Sequence, residues 1–130
     1  MSFLLGSTFP LSLIRSSVRI EPRSLEELKQ RLRQDDWTSF WGHESTIAAA
    51  DDILGLSGSK KTVRPKTERP ALTLNENQQP TLNNITYTEC WILSPDYAPG
   101  FRPKIGKEVP ADKIQGWQVL RMVWEDGKPQ

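Results

Sequence analysis

Cysteine and histidine each occur once in these 130 residues, as Cys90 and His43. A lone cysteine excludes an internal disulfide and gives no sign of an oxidising compartment. One of each is also too few for a zinc site built from the metal's usual nitrogen and sulfur ligands. An excess of one charge is missing too. Lys and Arg number 17 against 16 Asp and Glu, a net charge of +1, so the strongly basic surface that duplex nucleic acid demands is absent. No window is long and apolar enough to span a membrane. The apolar opening from Phe3 to Ile14 lacks a basic start, contains Pro10, and meets Arg15 without a small-residue cleavage pattern, so it does not read as a secretory leader. A cytoplasmic protein without membrane contact is the expectation. Apolar residues at 36% and charged residues at 25% suit a globular chain, and the length suits one domain over 1–130 with a modest core.

What is present centres on Gly42-His43-Glu44-Ser45-Thr46. The residues before it, Trp37 to Trp41, alternate aromatic and small and predict a buried strand. Those after it place Ile47, Ala50 and Leu54 on one helical face, and Gly55 closes that helix in the usual C-terminal position. Ser45 and Thr46 are good capping types, and the first free amides of such a helix form a natural phosphate site.

Elsewhere, Phe3 to Leu5 predicts a first buried strand running into a polar turn, Gly6-Ser7-Thr8, and Val18 to Glu21 a second. Ser24 and Glu27 have capping-box spacing and open a helix with Leu25, Leu28 and Leu32 on its apolar side. Residues 57–70 carry Lys60, Lys61, Arg64, Lys66 and Arg69 against one acid, Glu68, with Pro65 and Pro70. That composition predicts a solvated, partly mobile loop; the functional alternative is a flap bringing positive charge to an anionic ligand. Residues 71–74 predict a short strand and 75–80 a turn. Ile85 to Leu93 reads as the clearest strand, and Ser94 to Gly100 as a loop because two prolines and a glycine interrupt it. Pro110 to Gln115 suits a helical turn, Gly116 to Trp124 a central closing strand, and 125–130 a polar tail. The sum is an α+β fold, a mixed five- or six-stranded sheet with two main helices packed on it.

Histidine is the residue type best placed for proton transfer near neutrality. At the head of a helix that holds a phosphate, His43 could protonate a leaving oxygen. The plain alternative is a structural imidazole bonded to a backbone carbonyl. Glu44 in the first helical turn reads as a dipole partner. The tryptophans at 37, 41, 91, 117 and 124 read as core, with one or two able to stack on a base if they border a pocket. No P-loop, Gly-x-Ser-x-Gly elbow or paired-carboxylate spacing occurs.

A strand, Gly42-His43-Glu44-Ser45-Thr46, then an alanine-rich helix ending in Leu54 and Gly55 resembles the viral ring nuclease family, the type III anti-CRISPR proteins and their cellular relatives. The resemblance is good over 3–56 and loose over 71–124. It implies a small α+β homodimer whose symmetric cleft closes over cyclic tetra-adenylate, with no cofactor or metal. The ring is cut by attack of a ribose 2′-hydroxyl on the adjacent phosphate, and His43 takes the general-acid role. Gly42, Ser45, Thr46, Ser7 and Thr8 would face the ligand. The family's second motif, Arg-Leu-x-Glu-Gly, matches here only at Gly100 of Asp96-Tyr97-Ala98-Pro99-Gly100. Asp96 stands in the arginine's place and Pro99 in the glutamate's, which removes a bidentate phosphate clamp; Arg102 is the candidate substitute. The family's N-terminal serine falls near Pro10, with Ser7, Thr8 or Ser12 as stand-ins. Two functions follow: a phage or prophage counter-defence protein that cleaves or sequesters a cyclic oligonucleotide, or an interaction protein that blocks a host defence protein directly.

Overall fold

The computed structural model describes residues 2–66, 71–104 and 107–125. Its strands and helices are β1 (Ser2–Gly6), β2 (Val18–Arg23), α1 (Leu25–Gln34), β3 (Asp36–Ser39), α2 (Ile47–Leu54), β4 (Thr73–Leu74), β5 (Pro80–Leu82), β6 (Ile85–Thr86), β7 (Glu89–Tyr97) and β8 (Ile114–Trp124). The main sheet has the order β2-β8-β7-β1-β3. Strand β1 runs parallel to both β3 and β7, while β8 is antiparallel to its two neighbours. This is the expected α+β arrangement with a mixed five-stranded sheet. A second, antiparallel sheet of β4-β5-β6 adds a layer that the sequence reading did not contain.

The sheet is buried on both faces, which is why Phe3–Leu5 of β1 and Cys90–Leu93 of β7 are apolar without a break. Phe3, Leu5, Trp91 and Leu93 pack with Leu28 of α1 and with Ile47, Ala50 and Leu54 of α2. Leu4, Cys90, Ile92, Met122 and Trp124 face the other way, against Phe9, Phe40, Leu82 and Tyr87. Both helices therefore cover one face, and the small sheet with the segment after β1 covers the other.

The helix ends follow their signals. Ser24 Oγ accepts from the Glu27 amide at 3.1 Å, while the Ser24 amide donates to Glu27 Oε1 at 3.0 Å, a complete capping box. Gly55 closes α2 at φ 74°, the left-handed position that glycine takes without a Cβ penalty.

Three expectations need correction. The stretch 85–93 is two strands, with Ile85 half exposed on β6 and β7 beginning at Glu89. Residues 94–97 are strand, not loop: β7 pairs with β8 as far as Tyr97, with a bulge at Asp96/Tyr97. Strand β1 has its last partner at Ile92, so β7 has an open edge by Pro95, where a residue without an N–H is tolerated. The basic loop is anchored over 57–66. Val63 is fully buried, and its amide donates to Asp51 Oδ1 at 2.8 Å while its carbonyl accepts from Ser39 Oγ. Lys61 bonds Asp36 and the Trp37 carbonyl and lies 4.3 Å from the Trp37 ring centroid. The loop thus covers the outer edge of β3, one of the two edge strands, and blocks strand addition there. Residues 67–70, the rest of the expected loop, lie outside the described residues, as do 126–130 of the expected tail.

One charged cluster lies beneath α1. Glu89, 5% exposed, accepts from Arg31 Nη1 and Nη2 at 2.7 and 2.8 Å, from Trp91 Nε1 at 3.0 Å and from Arg121 Nε. Arg121 also bonds Glu21 at 3.0 Å, and Arg31 bonds Asp35 at 2.7 Å. Burial alone would push the Glu89 carboxyl up; the hydrogen bonds from Arg31, Arg121 and Trp91 outweigh it and hold the group at about 2.

Candidate functional site

Because β1 runs parallel to β3 and β7, their carboxyl ends meet at one end of the sheet, where open sheets commonly bind ligands. Gly6-Ser7-Thr8 leaves β1 there, Phe40 to Thr46 leaves β3, and β7 continues past both. The segments are tied together: the Phe40 amide donates to the Leu5 carbonyl at 2.9 Å, and Ser94 Oγ to the Ser7 carbonyl at 3.0 Å. Gly6 is a required glycine, since a Cβ on it would lie 2.5 Å from the Phe40 ring. The Val109 amide donates to the Ser45 carbonyl at 2.9 Å, and the Ala98 amide to the Lys113 carbonyl at 2.8 Å. Those bonds bring the connection carrying Gly100 and Arg102 back toward the head of α2.

His43 stands before a single 3-10 turn, Glu44–Thr46, that leads into α2. Its carbonyl accepts from the Thr46 amide at 3.1 Å, Thr46 Oγ1 at 3.0 Å and Trp41 Nε1 at 3.1 Å. The backbone is thereby held while the imidazole is exposed. Among the described residues the imidazole has no hydrogen-bond partner. A side chain fixed at its root and open at its tip can meet a ligand without breaking a bond.

The neighbouring residues differ in what they offer. Gly42 and Thr8 are exposed and Ser45 is half buried. The Ser7 hydroxyl is buried without a partner among the described residues, an orphan at the carboxyl end of β1 that costs stability unless something satisfies it. Thr46 is 2% exposed, and its hydroxyl is engaged by His43 and by Trp41 Nε1 at 3.1 Å, so here it shapes the turn. Glu44 reaches Arg64 of the basic loop at 3.1 Å. Gly100 turns the chain at φ 80°, and Arg102 is exposed beyond it. Asp96 is exposed on β7. Cys90 is fully buried, and burial followed by the neighbouring Glu89 charge pushes its thiol well up, which removes it as a nucleophile. Among the described residues no group of three or more His, Cys, Asp or Glu is placed to hold a metal ion, and no helix is long and apolar enough to cross a membrane.

No protein-family model and no curated protein sequence matches the chain. A solved structure does. The chain is similar to B116 of Sulfolobus turreted icosahedral virus, with a TM-score of 0.55 over 96% of this chain and 100% of that one, at 18% identity. What is shared with B116 at that identity is the fold. The chemistry at the sheet end is therefore argued from this chain's own residues.

Sequence reasoning placed the His43 turn and the Ser7 turn separately, and the parallel pairing of β1 with β3 joins them. It missed the Gly6–Phe40 approach and the clamp on the His43 carbonyl. The first had a signal, a glycine ending an apolar strand; the second needed the Trp41 indole, whose direction no pattern reveals. The tryptophans are core rather than ligand platform: four are at most 4% exposed, and Trp117 packs half buried against the helix-side cluster.

Proposed function

We propose that this chain binds a cyclic oligonucleotide messenger, a cyclic oligoadenylate or a relative of it, in the cleft of a homodimer and removes it without a metal. The observation that carries this reading is the turn holding an exposed His43 at the end of the sheet where β1 and β3 stop and β7 runs on past them. In the cleavage step a ribose 2′-hydroxyl loses its proton to water as its oxygen forms a bond to the adjacent phosphorus, the bond to the 5′-oxygen breaks, and that oxygen takes its proton from His43. Ser7, Thr8, Ser45 and Gly42 line the approach, and Arg102 supplies the positive charge that Asp96 does not. A fold shared with a viral protein supports a viral or prophage origin and hence counter-defence. Asp96 opposes bound phosphate and slows cleavage, which favours retention of the ring over turnover. The rival reading, a scaffold that blocks a host protein, would gain support from an exposed patch of tryptophans, and four of the five are at most 4% exposed.

Incubation of the purified protein with cyclic tetra-adenylate in EDTA, with His43→Ala alongside, tests this. Linear products that disappear in the variant establish the nuclease. Tight binding with recovery of the intact ring establishes a sponge. Failure to bind any ring in a cyclic-nucleotide panel overturns the proposal.

A further inference from the structure

A second concave site lies along the edge of β3, and one of its lining residues, Arg64, is bonded to Glu44 beside His43. It is a groove of about 440 Å³, within the usual range for small-molecule sites. The β3 residues Asp36 to Ser39 form its floor, the basic loop one wall, and the β5–β6 turn with Tyr87 the other. Four cations line it, Lys60, Lys61, Arg64 and Lys66, against one carboxylate, Asp36. Two of the cations are engaged, Lys61 by Asp36 and Arg64 by Glu44. Lys60 and Lys66 are exposed and form no close ion pair among the described residues, although Lys66 is near enough to act electrostatically on Asp36. A chain of net charge +1 thus gathers four cations against one carboxylate around one groove. The facing wall differs in chemistry: Asn83 offers an exposed amide, and Ile85 an apolar side chain that is 55% exposed.

The shape restricts the occupant. A peptide strand cannot pair with this stretch of β3, because Lys61 occupies the Trp37 carbonyl and the loop through Val63 covers the strand edge. A floor of four residues is about 10 Å long, too short for more than one or two phosphates of a polymer. We propose that the groove is a binding site for a small organic phosphate of mononucleotide size. Its anionic end sits between Lys60 and Lys66, with Arg64 beside them, and its uncharged body lies against Asn83 and Ile85. Asn83 sits in the tight β5–β6 turn, where Asn83 and Asn84 hold φ 52° and 65°, the left-handed pair such a turn takes.

The test is titration of ¹⁵N-labelled full-length protein with ADP, and in parallel with inorganic phosphate, for wild type and Lys60→Ala/Lys66→Ala. Both lysines are exposed and in no close ion pair, so the double variant keeps the fold, checked by its amide spectrum. ADP is expected to shift the amides of residues 60–66 and 83–85, and to bind the double variant at least about tenfold more weakly, as for the loss of two charge-assisted contacts. Inorganic phosphate is expected to bind more weakly than ADP. Absence of shifts at these positions, equal ADP affinity in the double variant, or equal affinity for phosphate and ADP would each overturn the proposal.

Discussion

Removing the Glu89 charge while keeping its shape, with Glu89→Gln, isolates the cluster beneath α1. The carboxylate is 5% exposed and accepts from two guanidiniums and an indole. Its carboxyl is held at about 2 against an ordinary 4.5, which corresponds to about 3 kcal/mol of stability at neutral pH. Breaking a buried pair by deleting one partner gives about 3–5 kcal/mol. The lower end applies, because Asp35 still holds Arg31 and Glu21 still holds Arg121. The sign follows from the depressed value. The contribution is complete above the unfolded value near 4.5 and is lost as pH falls through about 2. Urea unfolding followed by tryptophan fluorescence should therefore show the variant about 3 kcal/mol less stable at pH 7. The gap should narrow steadily below pH 4.5. Depressed carboxylates outside the cluster, Glu27 and Asp36, are common to both proteins and cancel in the difference. Equal stability at pH 7, or a gap that does not change on acidification, would refute the reasoning.

Asp51 carries the opposite sign. Burial raises its carboxyl against the bond from the Val63 amide, so its charged form costs stability as pH rises through and beyond the ordinary carboxylate range. Asp51→Asn keeps an acceptor for that amide and should stay within about 1 kcal/mol of wild type at pH 7, with the wild type gaining on it in acid; Asp51→Ala strands the amide and should cost about 1–3 kcal/mol by thermal unfolding. Gly6→Ala forces the Phe40 ring aside and should cost about 1–3 kcal/mol, with part recovered in Gly6→Ala/Phe40→Leu; a melt indistinguishable from wild type would show that the approach is slack. Gly55→Ala should cost about 1 kcal/mol for its left-handed backbone, read from the same melts.

Much of the fold was legible because its signals are local. Ser24 and Glu27 announce the start of α1, Gly55 the end of α2, and the aromatic alternation from Trp37 to Trp41 most of β3, which stops at Ser39. Pro95 misled because proline excludes a residue from a strand interior but not from an open edge, and edge status depends on where β1 stops. Lys61 and Val63 looked like solvated loop because their partners, Asp36, Trp37 and Asp51, are distant in sequence. Glu89 drew no attention as a single acid in a strand; only the pairing of β7 with β8 and the placement of α1 surround it with arginines. The His43 turn could be located from spacing, whereas its company at the sheet end depends on parallel pairing, which leaves no periodic trace.

The pairing of β2 bears on how the molecule is made. Val18 meets Trp124, and Arg23 meets Val119, so β2 finds its neighbour only in the last strand of the sheet. Strands β1 and β3 with the intervening α1 lie within Ser2–Ser39 and can assemble before β8 is made, but β2 in that fragment has no mate. Contacts of such sequence separation form late and slowly. Until β8 arrives, a nascent chain holds out a six-residue strand with both backbone edges unsatisfied. Its alternating Arg19, Glu21 and Arg23, with Pro22 among them, keep it from pairing with the same strand on a neighbouring polysome.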